Sequence, residues 1–107
     1  MANSNVVNLY PVPTPGVNDQ TLSVADSAVP FGTAFNELTK YIVLDVQPAD
    51  VRVTYDGSAP VGGSSSPNGH LLFAGRSYTW AKKTAEAAKF IREGSVSSTI
   101  HASEFTQ

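Results

Sequence analysis

Short apolar runs separated by turn-forming residues are the feature that most constrains the fold of this chain. Gly, Pro, Asn and Asp interrupt the sequence about every 8–12 residues, and the runs between them are rich in β-branched side chains. This spacing is typical of antiparallel sandwiches and small barrels. The sequence therefore predicts an all-β fold: an antiparallel β-sandwich or flattened barrel, immunoglobulin-like or jelly-roll-like, with at most one short helix.

The two most regular strands follow one another in the middle of the chain. Residues 41–46 are almost continuously apolar, which predicts a central strand buried on both faces. Residues 51–55 alternate between apolar and polar, which predicts a half-buried antiparallel strand. Further strands are predicted near 20–25, 34–37, 70–73, 77–80, 89–92 and 97–105, with one or two helical turns within 81–88. The predicted core consists of Ile42, Leu44, Val46, Val51, Val53, Tyr55, Leu72, Phe90, Ile91 and Ile100.

The first twenty residues have a different character from the rest. Pro11, Pro13 and Pro15 fix their own φ angles, remove backbone donors and favour extended neighbours, so helix is excluded here. We predict an extended, Pro-rich arm over residues 1–20 and a single β-sandwich domain over residues 21–107. A disordered terminus is the alternative for the arm. Its apolar side chains favour docking on a neighbouring subunit, and these are Val6, Val7, Leu9 and Tyr10.

Residues 57–69 form the longest polar stretch, GSAPVGGSSSPNG. Such a composition buries too little apolar surface to order itself, so we predict an irregular loop ended by the Asn68-Gly69 turn signal. This loop is either a contact with a partner or a free outer tip.

Composition excludes several classes of function. The nine acidic residues outnumber the seven Lys and Arg, giving a net charge of −2, so a nucleic-acid partner is not expected. Cysteine is absent, which excludes disulfides and thiolate chemistry. No apolar run is long enough to cross a membrane. Residues 1–16 lack a basic start and a long apolar run, so we expect no signal peptide and synthesis in the cytoplasm.

No residue pattern in the chain indicates catalysis. His70 and His101 are too few for a zinc site, and Asp45, Asp50 and Asp56 lack the tight alternate spacing of a calcium loop. Phosphate-binding and serine-nucleophile motifs are also absent. We therefore predict a protein that is not an enzyme, with no catalytic residue, no metal and no cofactor.

Two aromatic side chains are candidates for contact with a partner. Tyr78 and Trp80 occupy alternate positions of a predicted strand, so they point to the same face. A sugar-stacking platform is one interpretation, and a place in the core or in a protein interface is the commoner one.

Three stretches resemble short bacteriophage virion proteins. VRVTYDGSAP (51–60) precedes a Ser/Gly loop and GHLLFAG (69–75), and AKFIREGSVSSTIHASEF (88–105) follows. The resemblance covers about residues 41–105 and points to the capsid decoration or cement class. The DGS-x-P turn is also similar to immunoglobulin-like C-terminal modules of chitobiase-type glycosidases. Both resemblances imply a β-sandwich.

The first resemblance implies a virion structural protein that binds the assembled capsid and stabilises it. Its partner would then be the major capsid protein, its place the capsid surface, and its state a homo-oligomer, either a dimer or a trimer. The alternatives are a carbohydrate-binding or adhesive module, or a head–tail or tail accessory protein. We expect no direct contact with nucleic acid or membrane.

Overall fold

A computed structural model of the chain describes residues 11–106. Nearly all of the regular secondary structure in the described part is β-strand, which confirms the predicted fold class. A single short helix, α1, falls within the predicted helical stretch 81–88. The elements in chain order are β1 (Asp19–Val24), β2 (Tyr41–Gln47), β3 (Val51–Thr54), β4 (His70–Leu72), β5 (Ser77–Ala81), α1 (Lys82–Ala87), β6 (Lys89–Arg92) and β7 (Ser98–Phe105).

The strands form two antiparallel sheets that face each other. The four-stranded sheet has the order β1-β7-β2-β5, and the three-stranded sheet has the order β4-β3-β6. The longest ladder joins β2 to β7, from Tyr41 opposite Phe105 to Gln47 opposite Thr99. The chain passes from one sheet to the other between β2 and β3, through a turn that contains a cis Gln47–Pro48 peptide. The described residues therefore form a two-sheet sandwich, not a flattened barrel.

The core lies between the inner faces of the two sheets. Ile42, Leu44 and Val46 of β2 are fully buried, while Tyr41, Val43 and Asp45 are half-buried on the outside. The prediction that this strand is buried on both faces was wrong, because no described element covers its outer face. Burying each of the three inward side chains contributes roughly 1.5–3 kcal/mol.

Eight of the ten predicted core side chains are buried, and Tyr55 packs partly buried against the core cluster. Ile91 was placed wrongly. It lies opposite Arg52 in the β3–β6 ladder, on the outer face of the three-stranded sheet. Since side chains alternate along a strand and Phe90 occupies the inward position of β6, Ile91 has to face outwards.

The described part of the predicted arm lies against the chain's own last strand. Pro13 forms a bridge with Phe105, and the Thr14 amide donates to the Glu104 carbonyl over 3.0 Å. β1 then begins at Asp19 and continues along β7. The strand predicted near 34–37 is absent from the described residues, and a turn that leads into β2 takes its place.

Candidate interaction surface

The outer faces of the two sheets differ in what covers them. The outer face of the four-stranded sheet, here called the bare face, carries no described element. Its two central strands contribute Val43, Asp45, Gln47, Thr99, His101 and Ser103, and the flanking strands contribute Asp19, Thr21, Ser23, Ser77, Thr79 and Ala81. Most of these side chains are short and uncharged. The bare face is therefore a broad surface four strands wide, rich in small polar side chains and carrying the carboxyl groups of Asp19 and Asp45.

The strand register arranges the bare face in rows. His101 lies between Thr21 and Asp45, and the next row places Val43 beside Ser103. At one end of the face the rings of Tyr41 and Phe105 stack, with their centroids 5.3 Å apart. The face thus has His101 and Asp45 at its centre, mostly Ser and Thr on its flanking strands, and a half-buried aromatic pair at one end.

The three-stranded sheet has an outer face that the chain itself occupies. Residues 57–69, here called the covering loop, lie against it. Arg52 on β3 forms a two-pronged pair with Glu93, with nitrogen–oxygen distances of 3.0 and 2.9 Å, and its third nitrogen donates to the Gly69 carbonyl over 3.1 Å. Glu93 also accepts the Gly63 amide over 3.3 Å. The hydrogen bonds from Arg52 hold the pKa of the Glu93 carboxyl below its usual value.

The covering loop is ordered by its own polar groups. Val61 and Asn68 exchange two backbone hydrogen bonds of 3.0 Å, and the side-chain nitrogen of Asn68 donates to the Ala59 carbonyl over 2.8 Å. The Asp56 carboxylate accepts from the Ser58 amide and hydroxyl, which lowers the pKa of Asp56. The loop is irregular, as predicted, and these hydrogen bonds fix its path although little of it is apolar.

Close backbone approach explains why glycine is needed in the covering loop. A Cβ added at Gly62 would collide with the carbonyl oxygen of Arg92 at the end of β6. Gly69 combines a φ of 112° with a similar collision against the Val53 carbonyl. The glycines therefore let the loop lie directly on the sheet.

The predicted partner-binding side chains are found in two places. Val6, Val7, Leu9 and Tyr10 lie outside the described residues. Tyr78 and Trp80 are half-buried on the inner side of β5. Trp80 stacks on Phe90 with centroids 5.9 Å apart and meets Tyr55 edge-on at 5.2 Å. Their contact with a partner stays a prediction, but one face of the Trp80 ring is already occupied.

The sequence analysis did not identify Glu104, whose carboxyl group lies at the end of the core. Glu104 is fully buried on the inner face of β7. Its Oε1 accepts hydrogen bonds from the Asn36 backbone amide over 2.8 Å and from the Thr39 hydroxyl over 2.6 Å. Its Oε2 has no partner among the described residues. The Thr39 and Thr14 hydroxyls lie 3.3 Å apart. Alternation from Ile100 and Ala102 would have placed Glu104 on the inner face.

The described residues hold no group of three or more His, Asp or Glu side chains able to bind a metal ion. His70 and His101 are both exposed. Across residues 11–106 there is no helix of the length and apolarity that a membrane span requires.

Comparison with known proteins does not identify a family for this chain. The chain matches no protein-family model and no curated protein. A solved chain from Bacillus endospore appendages, described as a family of disulfide-linked pili, aligns over 100% of both chains at 9% identity with a TM-score of 0.37. A likeness at this level carries no argument about fold or function.

Proposed function

We propose that the chain is a bacteriophage virion structural protein that binds the assembled capsid as a decoration or cement protein. Its partner would be the major capsid protein. The observation that carries the proposal is the bare face: one sheet is covered by the chain's own loop, while the other offers a broad surface of mostly small polar side chains with nothing described on it. The likeness of residues 41–105 to phage virion proteins points in the same direction.

The chemistry of the bare face suits contact with another folded surface. Ser and Thr have few rotatable bonds, so ordering them at an interface costs less than ordering Lys or Glu. Only 15% of all residues are charged, which keeps the desolvation cost of such contacts low. A broad face of small polar side chains therefore suits contact with a folded protein surface, such as the outside of a capsid lattice.

The alternative of carbohydrate binding has weaker support. It rested partly on Tyr78 and Trp80 as exposed aromatics, and both are turned towards the core. The most exposed aromatic ring in the described residues is Phe73, and the Arg76 guanidinium lies 5.4 Å from the centre of that ring.

A cement protein stabilises a particle by linkage. A ligand that binds only the assembled lattice favours that lattice by RT ln(1 + [L]/Kd), roughly 2.7 kcal/mol at a hundredfold excess over Kd. Because the lattice repeats its sites many times, these contributions add over the particle. Capsids that lack the protein should therefore rupture at a lower temperature.

The test begins with mass spectrometry to identify the particle with which the protein co-purifies. Particles with and without the protein are then heated, and DNA release is measured. Thr99→Lys places a charge on a central strand of the bare face, and Ser65→Lys places the same charge on the covering loop. We expect Thr99→Lys to abolish particle binding and Ser65→Lys to preserve it.

Two results would contradict this proposal. Equal rupture temperatures with and without bound protein would remove the cement role. Equal binding by the two lysine variants would exclude the bare face as the contact. Retention of the chain on a sugar array, with no binding to particles, would favour the carbohydrate-binding alternative.

A further inference from the structure

The edge strands of the two sheets are protected to different degrees. In the three-stranded sheet, β6 is covered on its outer edge, where Val29 and Phe90 exchange two hydrogen bonds and Ala25 accepts the Arg92 amide. The opposite edge, β4, has only three residues. In the four-stranded sheet, β1 has six residues and β5 has five, and no described segment pairs with their outer edges. Neither strand contains Pro, Lys or Arg, the residues that commonly block edge pairing.

The charges that flank these two edges have opposite signs. Asp19 begins β1 and Asp26 follows its end, whereas Arg76 precedes β5 and Lys83 follows its end. All four side chains are exposed. Within residues 11–106 the ion pair is Arg52–Glu93, so these four charges have no ionic partner in that part of the chain. One edge is acidic at both ends and the other is basic at both ends.

The strand directions allow the two edges to meet. Three successive antiparallel pairings lead from β1 to β5, so these strands run in opposite directions within the sheet. A second copy placed beside the first in the same orientation brings its β1 antiparallel to the first copy's β5. Pairing of like edges would instead place acid near acid or base near base, which is unfavourable.

We propose that β1 of one copy pairs antiparallel with β5 of the next, which continues the four-stranded sheet from copy to copy. One register satisfies both charge and burial. It brings Asp19 towards Lys83, which lies in the first turn of α1 just beyond β5, and it brings Asp26, just beyond β1, towards Arg76. The outward pairs are then Thr21 with Ala81 and Ser23 with Thr79. The inward pairs are Leu22 with Trp80 and Val24 with Tyr78.

The partner is therefore a second copy of this chain, and the contact is heterologous. Such a contact closes into a ring when the rotation per copy allows it and otherwise continues as an open array. It also joins the bare faces of neighbouring copies into one surface. The pairing rests on the sheet edges alone and does not depend on capsid binding.

Charge reversal on one edge at a time tests the pairing, with sedimentation velocity of the full chain as the measurement. D19K/D26K makes both edges basic, and R76E/K83E makes both edges acidic. Each variant alone should self-associate about tenfold more weakly than the unaltered chain, or worse. An equal mixture of the two variants should regain association, and so should one chain that carries all four substitutions. Added salt should weaken association of the unaltered chain.

Cysteine cross-linking tests the register independently, since the chain has no cysteine of its own. Thr21→Cys and Ala81→Cys are placed in separate chains and mixed under mild oxidation. We expect a disulfide-linked heterodimer, because paired strands bring such residues to about 4.5–5.5 Å between Cα atoms. The control mixes Thr21→Cys with Ser77→Cys, which stands four residues along the strand, and should give about tenfold less product.

Three results would overturn the proposal. The first is a chain that stays monomeric up to about 1 mM, where even weak association is detectable. The second is loss of association in only one of the two charge-reversed variants, which indicates pairing of like edges. The third is equal cross-linking at Ala81 and Ser77. The exposed positions Thr21 and Ala81 keep the cross-linking test valid even if a charge-reversed variant does not fold.

Discussion

The two sheets of this sandwich share one core but meet the surroundings differently. The three-stranded sheet is enclosed: the covering loop lies on its outer face, residues 25–29 protect one edge, and its other edge strand is very short. The four-stranded sheet has a bare outer face and two edge strands whose outer edges pair with no described strand. Edges and faces of this kind are where chains associate. The outer face and the edges of the four-stranded sheet are therefore the parts of the described chain that we propose as contacts between chains.

The largest expected effect concerns the contact that joins the sheets. Phe90 of the three-stranded sheet is fully buried and stacks on Trp80 of the four-stranded sheet. Phe90→Ala should lower the free energy of unfolding by about 3–5 kcal/mol, measured by urea denaturation, because it removes a large core side chain. Phe73→Ala is the control, since Phe73 is 47% exposed and should lose far less. Equal losses in the two variants would show that the sheets are not joined through Phe90.

The next effect concerns the buried carboxylate at the end of the four-stranded sheet. Glu104→Ala leaves the Asn36 amide and the Thr39 hydroxyl without their acceptor, so it should cost about 1–3 kcal/mol. Glu104→Gln retains an acceptor oxygen and should cost less. Urea denaturation of both variants measures the difference. If Glu104→Ala is as stable as the unaltered chain, these hydrogen bonds contribute nothing net.

A smaller effect concerns the attachment of the covering loop. The folded pKa of Glu93 is lowered, so its contribution to stability is present above the unfolded value and is lost as pH falls below about 4.5. Glu93→Gln should cost about 0.5–1 kcal/mol at neutral pH and should flatten the acid dependence of stability. Hydrogen exchange across residues 57–69 should rise in this variant. An unchanged exchange rate would show that the loop is held by its other contacts.

The smallest effect separates folding from binding. Thr99→Lys on the bare face and Ser65→Lys on the covering loop should each change the free energy of unfolding by no more than about 0.5 kcal/mol, because Ser65 is exposed and the half-buried Thr99 faces away from the core. Thermal denaturation of the purified variants measures this. A large loss in Thr99→Lys would mean that the bare face contributes to folding, and any loss of particle binding would then need another explanation.

Local patterns predicted the strands well and their surroundings poorly. Alternation in residues 51–55 correctly placed Val51 and Val53 in the core. The continuous apolar run of β2 gave no sign that one of its faces lacks a cover, since a cover is a property of the assembled sheets. Ile91 was misplaced because its hydrophobicity was given more weight than the alternation fixed by Phe90.

The candidate surface was harder still to predict. The contact that fastens the loop 57–69 to the sheet could not be predicted, because Glu93, which accepts from the Gly63 amide, is 30 residues away in sequence. The contrast between a covered and a bare sheet emerges only from the strand order. The charges beside β1 and β5 are visible in the sequence, but their meaning depends on both strands being edges of one sheet.

The position of Trp80 has a practical consequence for optical experiments. It is the chain's single tryptophan, and its indole lies between Phe90 of the opposite sheet and Tyr55. Far-ultraviolet circular dichroism reports strand content, whereas the emission of this indole reports whether the two sheets are in contact around it. The chain therefore carries a native fluorophore that distinguishes a closed sandwich from one whose sheets have formed but separated.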